Sequence, residues 1–360
     1  MKKILALALV LIMVLSMAAC GGSKEPKISV FWYDEADVYL SSVRTALNKE
    51  LDALGIPYDN QYAAGDQAKQ LDQIRTAIAG GSTLLIVNVV TSGSPDVAKE
   101  ILAAAGDIPV IFFNRAIGTD GSDLDILNGS YNTCFIGTDA PEAGHMQGKM
   151  IGDYVVANYD AIDINGDGKI SYAMMKGDES NVEAIYRTQY GVEDANAILT
   201  AAGKPALSYF DASNPDCYQV DINGQWSAAA AKEYMDTNFV SYNEANGNMI
   251  ELVICNNDGM AEGVIASLQE KGYNKSGAHV VPVFGVDATD NAKALIADGA
   301  MIGTVKQDAE GMAAAIAQTA KAINEGKTSV EALAALSDSR FSIASDSKAK
   351  LFIAYAPYTG

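Results

Sequence analysis

After residue 27 the sequence alternates between short apolar runs and segments whose apolar residues recur every three or four positions. The run ISVFWY (28–33) is typical of a buried strand, and Leu40, Val43 and Leu47 then follow at helical spacing. Further strands are predicted at 83–90, 108–114, 170–177, 206–211, 250–257, 279–287 and 300–308. Because these strands are apolar throughout and separated by helices, they predict parallel sheets covered on both faces.

The number of predicted strands exceeds what one sheet holds comfortably. With 360 residues, 49% of them hydrophobic, the chain can bury a large core. The sequence therefore predicts the α/β class, with two doubly wound parallel-sheet domains. Neither GxGxxG nor GxxxxGK[ST] is present, which argues against a nucleotide site after the first strand.

The N-terminus carries an export signal. Residues 1–19 combine two lysines, an apolar run and small residues, which is typical of a signal peptide and too short for a spanning helix. Cys20 follows directly, as in bacterial lipoprotein signals, so we expect it to be lipidated, with residues 20–27 as a tether. Ordinary secretion with an unmodified Cys20 is the alternative. The mature chain is expected on the outer face of the cytoplasmic membrane, in a periplasm or at the cell surface.

The charge of the chain is strongly negative. The formal net charge is −20, and removal of Lys2 and Lys3 with the signal makes it −20 − 2 = −22. Such acidity argues against nucleic acid as a partner, because basic patches supply that affinity. The remaining cysteines, Cys134, Cys217 and Cys255, are odd in number and lack metal-ligand spacing, so we predict buried, unpaired thiols.

The segment DINGDGKISYAM (163–174) has the spacing of a calcium loop. The residues at its positions 1, 3, 5, 7 and 9 are Asp163, Asn165, Asp167, Lys169 and Ser171. Side-chain oxygens at positions 1, 3 and 5 and the carbonyl at 7 would meet a hard cation, and Gly168 at position 6 permits the turn. Position 12 is Met174 where an EF-hand needs Glu, so a carboxylate must come from elsewhere. An Asx-rich surface turn is the alternative.

Planar polar side chains follow the predicted strands. They are Asp34, Glu35, Asp37, Asn114, Asn256, Asn257, Asp287, Gln307 and Asp308. In open α/β sheets ligands bind beyond the carboxyl ends of the strands, and amides with carboxylates suit a polyhydroxylated ligand. Tyr39 and Trp226 would offer aromatic faces to the apolar side of a sugar ring. Turn or cap roles for the polar residues, and core packing for Trp226, are the alternatives.

The mature chain resembles the galactose/glucose-binding periplasmic proteins, the ligand-capture subunits of bacterial sugar ABC importers. Matching stretches are DVYLSSVR, DQAKQLDQI, VIFFN, DINGDGKI, VICNNDGMAEG, VFGVDA and GTVKQDA. The resemblance implies the periplasmic-binding-protein type I fold, in which a three-segment hinge joins two α/β domains that close around one hexose. The N-terminal domain is expected at 28–137 and 308–342, and the C-terminal domain at 138–307 and 343–360.

The resemblance also implies the roles of single residues. Asp37 and Asn114 would bind sugar hydroxyls from the first domain, with Tyr39, in place of the family's phenylalanine, and Trp226 as the stacking rings. Hydroxyl ligands from the second domain would be Arg187, Asn257 and Asp287. For structural calcium, the resemblance implies that Glu251 is the remote carboxylate that completes the 163–171 loop.

Four further positions depart from the family pattern. Asn181 and Glu183 replace a histidine and an aspartate of the sugar site, and Gln307 replaces an asparagine. Ser171 replaces an amide in the calcium loop. Glucose or galactose is the expected ligand, with a pentose or another hexose as the alternative.

The expected function is capture without catalysis. The closed form of a monomeric protein would dock on the membrane permease of an ABC importer. A sensor that presents this form to a chemoreceptor or kinase ectodomain is a second hypothesis. A glycosidase using Asp37 and Asp287 as its carboxylate pair is a remote third. A sugar-responsive repressor core is excluded by the export signal and by the lack of DNA-binding helices at the N-terminus.

Overall fold

A computed structural model describes residues 26–360. The strands, in chain order, are β1 (Ile28–Trp32), β2 (Tyr58–Tyr62), β3 (Leu84–Val87), β4 (Val110–Phe113), β5 (Thr133–Gly137), β6 (Ser171–Lys176), β7 (Ser208–Tyr209), β8 (Gln219–Val220), β9 (Leu252–Cys255), β10 (Val283–Asp287), β11 (Gly303–Lys306), β12 (Phe341–Ile343), β13 (Lys350–Ile353) and β14 (Ala356–Tyr358). The α-helices are α1 (Val38–Leu54), α2 (Gln67–Ala79), α3 (Pro95–Ala105), α4 (Leu124–Asn128), α5 (Ala140–Ile162), α6 (Val182–Ala201), α7 (Ala228–Ser241), α8 (Asp258–Glu270), α9 (Asp290–Ala297), α10 (Ala309–Asn324) and α11 (Ser329–Ala334). A short 3-10 helix covers Glu244–Asn246.

The first sheet has the order β12-β13-β5-β4-β3-β1-β2. Its strands are parallel except for β12, which runs antiparallel to β13. The second sheet has the order β14-β11-β10-β9-β6-β7, with β8 also paired to β6 and β14 antiparallel to β11. Both sheets thus contain the same doubly wound arrangement: β1 lies between β2 and β3, and β6 lies between β7 and β9. The predicted fold class is confirmed, with an antiparallel strand added at one edge of each sheet.

The chain passes between the two sheets three times, at residues 138–139, 307–308 and 354–355. The third passage differs from the predicted boundary between 342 and 343. The structure places Lys350, Leu351 and Phe352 beside β5, in the first sheet. The late boundary arises because β12 and β13 form an antiparallel pair that extends the first sheet before the chain leaves it.

Each sheet is buried between helices. Phe31, Trp32 and Phe112 are fully buried in the core of the first domain, and Cys134 and Cys255 are also fully buried. Cys217 is only half-buried, which corrects the prediction that all three thiols are buried. It lies in the irregular segment between β7 and β8.

Helices α5 and α6 pack unusually closely because three glycines of α5 face α6. A Cβ atom on Gly144 would lie 2.4 Å from the carbonyl oxygen of Tyr186, and one on Gly148 would lie 2.4 Å from that of Tyr190. At Gly152 the Cβ would meet the Ile198 side chain at 2.8 Å. Helix α6 is therefore held directly on α5, and its N-terminal end is the part that reaches the space between the domains.

The signal at residues 1–19 and the predicted lipidation site Cys20 lie outside the described residues. Between residues 26 and 360, no helix combines the length and the apolar character that a membrane span requires.

Candidate functional site

A cavity lies between the two domains and is lined by side chains from both. Its lining includes every residue predicted to contact the ligand, namely Asp37, Tyr39, Asn114, Asn181, Glu183, Arg187, Trp226, Asn257, Asp287 and Gln307. Two residues that the sequence did not single out, Tyr33 and Arg115, also line it.

The first domain contributes side chains from the ends of β1 and β4. Asp37 is the N-cap of α1: its Oδ1 accepts from the Leu40 amide at 2.8 Å, and its Oδ2 accepts from the Tyr33 hydroxyl at 2.7 Å. Tyr39 lies in the first turn of α1 and is buried. Asn114 comes directly after β4. The short segment between β1 and α1 therefore places Asp37 and Tyr39 at the same wall of the cavity.

The second domain contributes the N-terminal ends of two helices. Asn181 is the N-cap of α6, and its Oδ1 accepts from the amides of Glu183 and Ala184. Asn257 is the N-cap of α8, and its Oδ1 accepts from the Met260 amide at 2.9 Å. Since the carbonyl oxygen of each amide caps a helix, the NH₂ group is the part of each side chain left for a ligand.

Several residues of the cavity have strained backbones. Asn114, Trp226 and Asp287 have φ values of 60°, 56° and 124°. Such angles are unfavourable for residues other than glycine and cost about 1–3 kcal/mol each. Strain of this kind concentrates at functional sites, where the surrounding fold holds a side chain in a set position.

Three buried donors of the cavity lining have no hydrogen-bond partner among residues 26–360. They are the Nε atoms of Arg115 and Arg187 and the Nε2 atom of Gln307. Asp287 is the matching acceptor: it is 7% exposed, and its carboxylate makes no hydrogen bond within the described chain. Burial raises the pKa of Asp287 well above its usual value, while Arg187 opposes the shift. Unpaired donors beside an unpaired carboxylate suit a ligand whose groups both donate and accept, as hydroxyls do.

The two predicted aromatic residues line the cavity from opposite domains. The Trp226 ring packs on Gly177, where a Cβ atom would lie 2.1 Å from the ring. The Arg187 guanidinium carbon lies 5.7 Å from the centre of that ring. The Tyr39 hydroxyl lies 3.8 Å from the sulfur of Met312, as a weak hydrogen bond. Only glycine at position 177 allows the indole ring to take this place.

Tyr33 and Arg115 form a second part of the first-domain wall. The Arg115 guanidinium carbon lies 4.2 Å from the centre of the Tyr33 ring, and Nη2 donates to the Val90 carbonyl at 2.9 Å. Both residues directly adjoin a predicted strand end, Tyr33 as the last residue of ISVFWY and Arg115 next to Asn114. Arg115 lies one residue beyond the strand-end residue Asn114, and that position is the sequence signal that indicates it.

The predicted calcium loop lies at the far end of β6, and Glu251 reaches it from the residue before β9. Its Oε1 accepts from the amides of Ile164 at 2.8 Å and Asn165 at 3.2 Å, and its Oε2 accepts from Ser171 at 3.0 Å. Burial raises the pKa of the Glu251 carboxyl, while these amides oppose the shift. The remote carboxylate and the loop are thus adjacent.

Within the loop, the side chains fold back on the backbone. Asp163 accepts from the amides of Asp167 at 3.1 Å and Gly168 at 2.9 Å, and Asn165 accepts from Asp167 at 2.8 Å. No group of three or more His, Cys, Asp or Glu side chains in residues 26–360 is arranged to hold a metal ion by itself. An oxygen set of this kind, with one amide and one carbonyl, has the chemistry that calcium prefers.

Two solved structures with the same fold are described as solute-binding proteins of ABC transporters. One, from Clostridium phytofermentans with bound β-D-glucose, has a TM-score of 0.67 and 19% identity and covers 92% of this chain and 94% of its own. Another, from Bacillus halodurans with bound myo-inositol, has a TM-score of 0.66 and 21% identity and covers 94% of this chain and 96% of its own.

Comparison of sequences shows the family. The D-galactose/methyl-galactoside binding periplasmic protein MglB of Haemophilus influenzae is 32% identical over 339 residues, 92% of each chain. The multiple sugar-binding periplasmic protein SbpA of Azospirillum brasilense is 25% identical and covers 84% of this chain and 76% of its own. These names describe binding proteins, in agreement with the prediction that the chain is not an enzyme. Residues 28–328 match the model of the periplasmic binding protein domain, and the chain belongs to the periplasmic binding protein family.

Proposed function

We propose that this protein captures a monosaccharide between its two domains and delivers it to the permease of an ABC importer, with D-glucose or D-galactose as the ligand. One observation carries the proposal: residues predicted from five strand ends and those implied by the family resemblance for the sugar site all line one cavity. The ligands named for the relatives, galactosides, glucose and inositol, are all rings rich in hydroxyl groups.

The selectivity of such a site would come from polar matching. Asp287 would accept from ligand hydroxyls, while the free N–H groups of Arg187 and Gln307 would donate to ligand oxygens. Closure of the domains removes water from these groups, so any that is left unmatched costs about 1–3 kcal/mol. A ligand that lacks one hydroxyl, or carries it in the other configuration, would bind more weakly by that amount.

The test is a fluorescence titration with D-glucose, D-galactose, D-xylose, D-ribose and L-arabinose. The chain has two tryptophans. Trp226 lines the cavity, whereas Trp32 is fully buried in the first domain and its Nε1 donates to Asn60. We expect a saturable change with a dissociation constant of about 1 μM, about −8 kcal/mol. Trp226→Phe should remove the signal, whereas Trp32→Phe should keep it.

A response to one pentose and to neither hexose would identify that pentose as the ligand. No response to any of the five, measured also by calorimetry so that a silent tryptophan is not mistaken for absent binding, would refute the proposed ligand class.

We also propose that the 163–171 loop holds structural calcium. The side chains of Asp163, Asn165 and Asp167, the Lys169 carbonyl and the Glu251 carboxylate would hold it, with Ser171 as a further oxygen. The bound ion would supply positive charge to a group of acidic residues. Because Glu251 directly precedes β9, which leads to Asn257 at the cavity, the loop would stiffen the second domain without touching the ligand.

A further inference from the structure

Each of the three passages between the domains carries one polar residue that reaches the same buried ion pair. Thr138 lies in the first passage, Gln307 in the second and Tyr355 in the third. The ion pair is Glu183–Arg187, with 3.1 Å between Oε2 and Nη2 and side chains 9% and 4% exposed. All three segments that must bend when the domains move therefore meet at one point of the cavity wall.

The hydrogen bonds around this pair form a closed network. Nη2 of Arg187 donates to the Gln307 Oε1 at 3.0 Å and to the Tyr355 hydroxyl oxygen at 3.1 Å. The Tyr355 hydroxyl lies 3.0 Å from Oε2 of Glu183, and the Thr138 hydroxyl donates to Oε1 of Glu183 at 3.0 Å. A phenol has one proton, so when Tyr355 receives from Arg187 it can still donate to the Glu183 carboxylate.

The network holds the Tyr355 hydroxyl as a neutral donor. Its side chain is buried, and burial raises the pKa of the phenol above its usual value. The Tyr355 hydroxyl also lies 3.0 Å from the Thr138 hydroxyl oxygen. Hydrogen bonds to a charged partner are stronger than neutral ones, which favours donation from Tyr355 to Glu183 over donation to Thr138. Tyr355 thereby bridges the two charges of the pair without carrying one.

These contacts leave Glu183 and Arg187 with different roles. Both carboxylate oxygens of Glu183 are engaged by Thr138, Tyr355 and Arg187. Arg187 also donates from Nη1 to the Asn256 carbonyl at 3.0 Å, but its Nε is buried and without a partner among residues 26–360. Arg187 is therefore the member of the pair with a free donor, whereas Glu183 is committed to the passages.

We propose that Tyr355 is a positioning residue for ligand binding. Its hydroxyl binds both Glu183 and Arg187, so it fixes Glu183 to the segments that pass between the domains and orients Arg187 toward the ligand. The inference deepens the proposed function and rests on it. It assigns Glu183 to the passages between the domains and not to direct hydroxyl binding. Correct placement of Arg187 then requires the third passage to be in its closed position, which couples the ligand contact to domain closure.

The test is calorimetric titration of the full mature chain with D-galactose and D-glucose. For the sugar that binds wild type, Tyr355→Phe should raise the dissociation constant about tenfold at unchanged stoichiometry. A merely structural defect would instead lower the fraction of active protein and leave the dissociation constant of the remainder unchanged. Tyr358→Phe is the matched control, since the Tyr358 hydroxyl makes no hydrogen bond to the described residues, and it should bind like wild type.

A second pair of variants tests the same network without the tyrosine. Thr138→Val removes a hydroxyl that holds Glu183, and Thr138→Ser retains it, so only the valine variant should weaken binding. Glu183→Gln combined with Tyr355→Phe should cost less than the sum of the single changes, because both act through one network.

Equal dissociation constants for wild type, Tyr355→Phe and Thr138→Val would overturn the inference while leaving the proposed function intact. Wild-type protein that binds neither hexose nor any of the three pentoses would overturn the proposed function itself, and the inference with it.

Discussion

Arg115 and Asp178 form an ion pair across the cleft, with 3.1 Å between Nη2 and Oδ2. Arg115 follows β4 in the first domain, and Asp178 lies just after β6 in the second. The two side chains are only 6% and 16% exposed. Because the partners belong to different domains, the pair exists only while the domains are close together.

Loss of this ion pair should speed ligand release. Asp178→Asn removes a contact of the closed state alone, so we expect about tenfold weaker sugar binding, equivalent to about 1.4 kcal/mol. Arg115→Gln removes the same pair together with a donor of the cavity lining, so it should weaken binding at least as much. The rise in the dissociation constant should come from a faster dissociation rate, which stopped-flow fluorescence measures. Arg75→Gln is the control, since its pair with Asp72 is exposed and lies within one helix. Unchanged dissociation rates in both cleft variants would contradict this prediction.

Calcium should stabilise the protein through Glu251. Thermal unfolding in calcium, compared with unfolding in a chelator, should show a gain of about 2.7 kcal/mol when the free ion is at 100 times its dissociation constant. Glu251→Gln should abolish the gain, because a neutral amide cannot supply a bidentate anionic ligand. Asp160→Asn makes the same change of charge just before the loop, at a side chain that is 97% exposed, and should retain the gain. The same unfolding temperature with and without calcium would refute the site.

Stability should fall as the pH rises because of Asp258. Burial raises the pKa of this carboxyl to about 7, although the Thr304 hydroxyl at 2.6 Å and the Thr289 amide at 2.8 Å oppose the shift. The unfolded value is about 3.9. The folded state therefore holds the proton more tightly, and this stabilisation is complete below pH 4 and lost as the pH rises through 7. The loss is at most about 1.4 kcal/mol per pH unit.

Asp258→Asn should flatten that part of the pH dependence, because an amide does not titrate. Denaturant unfolding of wild type and variant at pH 5 and pH 8 measures the difference. Asp287 titrates beside Asp258, so part of the decline should remain in the variant. An identical decline in both proteins would mean that Asp258 carries no such proton.

The close packing of α5 on α6 should not tolerate an added methyl group. Gly148→Ala places a Cβ 2.4 Å from the Tyr190 carbonyl oxygen, so we expect a loss of about 1–3 kcal/mol in unfolding free energy. Gly259→Ala in α8 is the control: its nearest atom would be 3.4 Å away, and alanine favours a helix by about 1 kcal/mol. A Gly148→Ala protein as stable as wild type would show that the helices can move apart.

Cys20 should anchor the protein. Cys20→Ser should shift the protein from the membrane pellet to the soluble fraction after cell fractionation, whereas Cys217→Ser should leave it in the pellet. Soluble wild-type protein would indicate ordinary secretion.

The apolar strands and their helices were predictable because burial on both faces leaves a continuous hydrophobic run. Strand β2, YDNQY, is half-buried throughout and has no such run, so the hydrophobic pattern did not predict it. Strands β12 and β13 join a sheet whose other members end at residue 137. Nothing local in the sequence indicates which of two sheets such short strands will join, and the boundary near 342 was misplaced for that reason.

Asn181, Glu183 and Arg187 followed from the family resemblance. The cavity residues that follow strands were predictable as a set because strand ends converge at one edge of each sheet. Their individual roles were not. The family pattern indicated Glu183 as a residue of the sugar site, but its partners Thr138 and Tyr355 are 45 and 172 residues away in sequence. Which residues become partners over such distances in sequence depends on how both sheets fold.

The interlaced path of the chain has a consequence for folding during export. β13 completes the first sheet beside β5, and β14 completes the second, yet both lie within residues 350–358. A chain that emerges from its N-terminus therefore cannot finish either sheet until residues 350–358 have appeared. We expect both domains to be completed together, after translocation, and the segment between 341 and 360 to be the one whose removal leaves neither domain able to fold.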